Sequence, residues 1–225
     1  MLRIGRFEYL RINASKMTQG EQKIIKRRGF LYAGDLEAGA VEYFGVPDLL
    51  TAHIDPSRQQ CLANGLKAIR TEIDGLSALA ATLQRDLCDE FPRAVETIRA
   101  CTGRVIVVGI GKSGHIGRKI AATLASTGTP ALFMHAAEAS HGDLGMVTQQ
   151  DVVLALSWSG ETSELKDLVT YCTRHKVPLI GLTSNRESAL GRAATIRLIL
   201  PKVQEACPHG LAPTTSTTMQ LALGD

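Results

Sequence analysis

Two short stretches carry the residue types that hold an anion. Gly109-Ile110-Gly111-Lys112-Ser113-Gly114 combines small residues with an ammonium and a hydroxyl. If it closes a strand and opens a helix, its unpaired backbone N–H groups and the helix dipole make an anion site. Ser157-Trp158-Ser159-Gly160-Glu161-Thr162 brings three hydroxyls to a junction of the same kind. Each stretch has a competing explanation. The first is a literal G-x-G-x-x-G, the fingerprint of dinucleotide binding, and Glu138 falls near the ribose acid expected about 20 residues on. It is not a nucleoside triphosphate loop, because the position that would need glycine is Ile106. In the second, hydroxyls at such a junction also serve as helix caps. Two adjacent loops of this composition favour a phosphate group.

Other chemistry-bearing residues are more scattered. His135 and His141 stand six apart in a polar stretch; two imidazoles without a third ligand point only weakly to a metal, and zinc stays open. Glu164 falls in the first turn of a helix and Glu205 in the segment 201–208. Carboxylates at helix starts usually serve the dipole, so a proton-transfer role for either depends on a substrate held beside it.

The elements that must position these residues follow from hydrophobic pattern. Val105–Val108, Ala131–Met134, Val152–Leu156, Leu179–Leu182 and Ile196–Leu200 are short apolar runs alternating with helical or turn-rich stretches at Gly114–Ser126, Ser163–His175 and Ser188–Ala193. That alternation predicts an α/β fold, a doubly wound five-stranded parallel sheet flanked by helices. Ligands of such sheets sit beyond the carboxyl ends of the strands, where both loops fall. A helical extension precedes the sheet: apolar residues from Leu62 to Leu83 recur at spacings of three and four within a helix from Pro56 to Leu87, followed by a short one from Pro92 to Ala100. A last helix begins near Pro213. Residues 1–53 lack a period and read as a loosely ordered extension, and 54–225 as the functional domain.

The 225 residues are 44% hydrophobic and only 4% aromatic, with a formal charge of +3, so the core must be built mainly from Ala, Val, Leu and Ile. Five cysteines with no CxxC pair read as reduced thiols of a cytoplasmic protein. No apolar run approaches the roughly 20 residues of a membrane helix. The basic cluster Lys23, Lys26, Arg27 and Arg28 lacks interleaved aromatics, so nucleic acid is not an expected partner.

Residues 109–145, Ser157–Glu161 and the run from Glu205 to Ser216 closely resemble the sugar isomerase (SIS) domain of arabinose 5-phosphate isomerases, over roughly Ile54 to Asp225. The resemblance implies a flavodoxin-like sheet and interconversion of D-ribulose 5-phosphate and D-arabinose 5-phosphate through an enediol, for synthesis of the 3-deoxy-D-manno-octulosonate of lipopolysaccharide in a Gram-negative bacterium. It carries catalytic roles to Lys112, Glu164 and Glu205. Substrate contacts carry to Ser113, Gly128, Thr129, His141, Pro201, Lys202 and Val203, and phosphate contacts to Ser157, Ser159 and Thr162. His135 takes a metal-associated position, with zinc or another divalent ion as the candidate, although no cofactor is required. Such proteins are usually tetramers whose sites borrow residues from neighbouring subunits.

Departures from the pattern are Trp158, where many members have Asn, and His209 in place of a usual Leu. The family continues past the position of Asp225 through a further helix, a catalytic histidine and two CBS modules. The domain is therefore expected to be incomplete at its carboxyl end, and a longer chain to be the better catalyst. The rivals are a non-catalytic sugar-phosphate sensor, which would call for a DNA-reading helix-turn-helix, and a nicotinamide-dependent dehydrogenase, which leaves the serine-rich loop without a purpose.

Overall fold

A computed structural model describes residues 55–225 and the backbone of 24–27, 30–35 and 40–43. The chain divides into two compact units, residues 1–62 and 63–225. The first contains an antiparallel sheet of β1 (Ile24–Arg27), β2 (Phe30–Asp35) and β3 (Ala40–Tyr43), with Arg27 opposite Phe30 and Asp35 opposite Ala40. Sequence periodicity does not reveal these strands, which are short and mix charged with apolar residues. The expectation of loose order for the rest of 1–53 lies outside the described residues.

The expected helical extension is present as α1 (Pro56–Gln84) and α2 (Glu90–Arg99). Then follow β4 (Val105–Gly109), α3 (Gly111–Ser126), β5 (Ala131–His135), α4 (Ala136–Ser140) and β6 (Val152–Leu156). After these come α5 (Lys166–His175), β7 (Leu179–Thr183), α6 (Ala189–Ala193), β8 (Ile196–Ile199) and α7 (Thr215–Gly224). The five strands from β4 to β8 form one parallel sheet in the order β5-β4-β6-β7-β8.

Every residue of β4, β6 and β7 is buried, as it must be in strands covered on both faces, and this explains their unbroken apolar runs. Alternate residues face opposite ways. Val105, Val107, Leu154 and Leu182 pack under Leu79, Leu87, Ile120 and Met219 from α1, the turn after it, α3 and α7. Ile106, Val108, Val153 and Leu179 pack over Ala139, Leu168, Cys172 and Leu190 from α4, α5 and α6. Burial pushes the Cys172 thiol up to about 12, so it behaves as an inert apolar group.

The strand order reverses between β4 and β6. From β4 the chain passes through α3 to β5 on one side, then returns over the other face to β6. Loops leaving β4 and β6 therefore diverge, and a crevice opens between their carboxyl ends. At the opposite edge the buried Asp151 pins the two strand entrances, accepting hydrogen bonds from Arg104 N (2.7 Å), Thr148 N (2.8 Å) and Thr148 Oγ1 (3.0 Å). Burial alone would raise its pKa, but the hydrogen bonds from Thr148 and Arg104 outweigh it and hold the carboxyl below the usual range.

Candidate functional site

Gly109 pairs with both His135 and Leu156, so the three neighbouring strands end level. Adjacent strands lie about 4.8 Å apart, which puts the loops after β4 and β6 side by side. After β4, helix α3 starts almost at once, at Gly111, three residues earlier than the sequence suggested. The close start favours glycine at both contact points, where a Cβ would be tightly squeezed: one on Gly109 would lie 3.1 Å from Gly114 N, and one on Gly114 3.1 Å from Gly109 O. The N-cap residue Ile110 is extended and offers no side-chain acceptor. The first N–H groups of this 16-residue helix are thus uncapped by side chains, and helix ends of this kind attract anions.

After β6 the chain turns tightly. Ser157 is buried; its Oγ accepts from Gly160 N (3.0 Å) and pairs with Thr162 Oγ1 (2.7 Å). Gly160 has φ of 70°, and a Cβ there would fall 1.9 Å from Ser188 Oγ, so only glycine fits. Glu161 Oε1 accepts from Ala189 N (3.0 Å), fastening the loop to α6. Ser159 is exposed, its Oγ accepting from Glu161 N (3.2 Å), which leaves its O–H able to donate outward. Ser157 and Thr162 thus hold the shape of the loop, and Ser159 faces out of it.

The two loops enclose a cleft of about 280 Å³. Its polar lining is Lys112, Ser113, Ser157, Ser159 and Thr162, and its apolar lining Ile110, Leu156, Trp158 and Pro213. Five of the residues predicted from sequence thus converge. Sequence reasoning missed Pro213 as a cleft residue, having read it only as the start of the last helix. Its place there comes from the tertiary path of the segment before α7, which no sequence period describes. A larger cleft of about 400 Å³ among α2, α3 and α7 is lined mainly by aliphatic side chains and contains none of the converging polar residues.

The two glutamates are treated differently. Glu164, on a short 3-10 turn (Ser163–Leu165), accepts from Ser163 Oγ (2.8 Å). That hydroxyl first, then its own backbone N–H, hold the Glu164 carboxyl below the ordinary glutamate range. Glu205 Oε2 accepts from Thr214 N (2.7 Å), Thr214 Oγ1 (2.9 Å) and Ser216 N (3.2 Å) at the start of α7. Burial opposes ionisation there, but bonds from Ser216 and Thr214 prevail and keep its pKa low. Thr214 Oγ1 in turn accepts from Ala206 N (2.8 Å) and Cys207 N (3.3 Å), so Glu205 is the clasp of the 205–214 loop.

Other sequence-predicted residues are not brought to the cleft within one chain. Gly128 and Thr129 precede β5 and lie at the amino edge of the sheet, about 16 Å away for a five-residue strand. Pro201, Lys202 and Val203 follow the edge strand β8, two strands and about 10 Å from β6. Val203 packs toward α1, 3.6 Å from where a Cβ of Gly75 would sit. His141 ends α4, exposed, on the same edge beyond β5.

A metal fits poorly at His135. Its Nδ1 accepts from Ala137 N (3.3 Å) as the N-cap of α4, and among the described residues no three His, Cys, Asp or Glu side chains gather as ligands. Structural and catalytic zinc sites need at least three protein ligands. Nor does the dinucleotide reading find its acid: β5 ends on His135, and Glu138 sits beyond it, exposed, on α4.

Residues 98–225, more than half of the chain, match the model of the SIS domain. The chain belongs to the SIS domain family. This SIS protein is 55% identical over 161 residues to the arabinose 5-phosphate isomerase of Yersinia pestis, covering 72% of the chain and 48% of that relative. It is 54% identical over 159 residues to the arabinose 5-phosphate isomerase of Pseudomonas aeruginosa, again covering 48% of it. The chain thus spans about half the length of the curated relatives it matches. A solved protein of E. coli CFT073, in complex with arabinose 5-phosphate, superposes with a TM-score of 0.68 at 37% identity, covering 76% of this chain and 88% of that one. Among the described residues no helix is long and apolar enough to cross a membrane.

Proposed function

We propose that this SIS domain holds a pentose phosphate in the cleft between β4 and β6 and interconverts D-ribulose 5-phosphate and D-arabinose 5-phosphate, supplying 3-deoxy-D-manno-octulosonate for lipopolysaccharide in the cytoplasm. The observation that carries this reading is the convergence of the α3 N-terminus, Lys112, Ser113 and Ser159 on one cleft at the sheet's reversal point. A dianionic phosphate is the ligand such donors favour. The names of the relatives support the choice of sugar.

The reaction moves one proton between C1 and C2. A carboxylate takes it from the carbon next to the carbonyl, the enediol forms, and the proton returns to the neighbouring carbon. Glu164 suits this role better than Glu205. Its position directly follows the serine loop, whereas Glu205 Oε2 already takes three hydrogen bonds. Lys112 supplies the cation that steadies the developing oxyanion. Gly128 and Thr129 reach the substrate from a neighbouring copy in a tetramer, which accounts for their distance from the cleft of their own chain. The test is proton NMR of ribulose 5-phosphate incubated with the chain: arabinose 5-phosphate signals should grow to equilibrium. A folded chain that binds arabinose 5-phosphate without converting it would remove the isomerase assignment.

A further inference from the structure

Trp158 is the single tryptophan among 225 residues, and the loop fixes it firmly. Its carbonyl accepts three hydrogen bonds, from Ser184 N (2.9 Å), Ser184 Oγ (2.8 Å) and Thr183 Oγ1 (3.1 Å). The donors are the last residue of β7 and the one after it, so the backbone at Trp158 is held in place. The side chain is half-buried and packs against the aliphatic cluster beneath α3 and α7. Trp158 also lines the cleft, where Leu156 and Pro213 continue the apolar surface and Lys112, Ser113 and Ser159 supply the polar one.

The cleft therefore has two characters. Inorganic phosphate can use only the polar part. A phosphorylated sugar also presents C–H faces, and a fixed aromatic ring gives these a broad apolar surface at little entropic cost, since the ring is already held. We infer that Trp158 is a specificity-determining residue, the wall that makes the cleft prefer a sugar phosphate to phosphate alone. The inference rests on the sugar-phosphate reading of the same site.

Its test is calorimetry on the full chain with arabinose 5-phosphate and, separately, inorganic phosphate, for wild type, W158N and W158F, with melting curves to check folding. W158N should weaken arabinose 5-phosphate at least tenfold and leave inorganic phosphate within twofold, and W158F should recover most of the loss. Because no other tryptophan contributes, wild-type emission should shift with arabinose 5-phosphate and barely move with inorganic phosphate. An unchanged sugar-phosphate affinity in W158N, or equal weakening of both ligands, overturns the inference. If W158N does not fold, wild-type emission decides it: a response no larger for the sugar phosphate than for inorganic phosphate overturns it. Wild type that binds no arabinose 5-phosphate defeats the sugar-phosphate reading as well, whereas tight binding indifferent to Trp158 defeats this inference alone.

Discussion

Glu164 and Glu205 bring one functional group into opposite situations, and hydrogen-bond geometry separates what residue type cannot. From sequence both are carboxylates beside helix starts, each able to serve a dipole or a substrate. The separation appears only once Thr214 and Ser216 are seen folded back on Glu205, contacts made across a loop that no periodicity describes. Glu164, held low by the Ser163 hydroxyl first, should be ionised at neutral pH and lose its proton-accepting form only as pH falls through its lowered value. The acid limb of kcat/KM is therefore expected below the ordinary glutamate value of about 4.3, and Ser163→Ala should move it upward. An acid limb near neutrality would contradict the assignment. Lys112→Met should lower kcat on the order of 100-fold, about 2.7 kcal/mol of barrier, with little change in melting temperature because Lys112 is exposed. Steady-state rates of the variant check this directly.

At the scale of elements, the sheet was legible because its central strands are buried on both faces and so read as uninterrupted aliphatic runs. The start of α3 was placed late because Gly111 and Ser113 look like turn residues, yet both lie in its first turn. The edge on which Gly128 and Thr129 sit could have been read from order alone, since they precede their strand instead of following it. The three strands of the first unit were not legible, being four to six residues long with charges interspersed. The serine loop depends on Gly160, whose φ of 70° and contact with Ser188 leave no room for a side chain. Gly160→Ala should destabilise the protein by about 1–3 kcal/mol and weaken phosphate binding with it. Denaturant unfolding alongside calorimetry would show whether both fall.

At the scale of the whole molecule, two carboxylates at opposite edges of the sheet are more acidic folded than unfolded. Asp151 ties the strand entrances and Glu205 clasps the loop before α7. Both have lowered folded pKa values, so their stabilisation is fully present above the unfolded values of about 4 and is lost as pH falls through the folded ones. Melting temperature should hold down to about pH 5 and then drop, with a shallower drop in Asp151→Asn; an unchanged profile in that variant would exclude Asp151 as a source.

Most depends on the phosphate ester being gripped where the sheet reverses, by groups from two loops at once. Calorimetric titration with arabinose 5-phosphate and with unphosphorylated arabinose, on the wild-type chain and on a Ser113→Ala, Ser159→Ala double variant, addresses that grip directly. Wild type should bind the ester and ignore the free sugar, and the double variant should lose at least tenfold in affinity for the ester. Equal binding of the free sugar, or an unimpaired double variant, would contradict the assignment of this cleft.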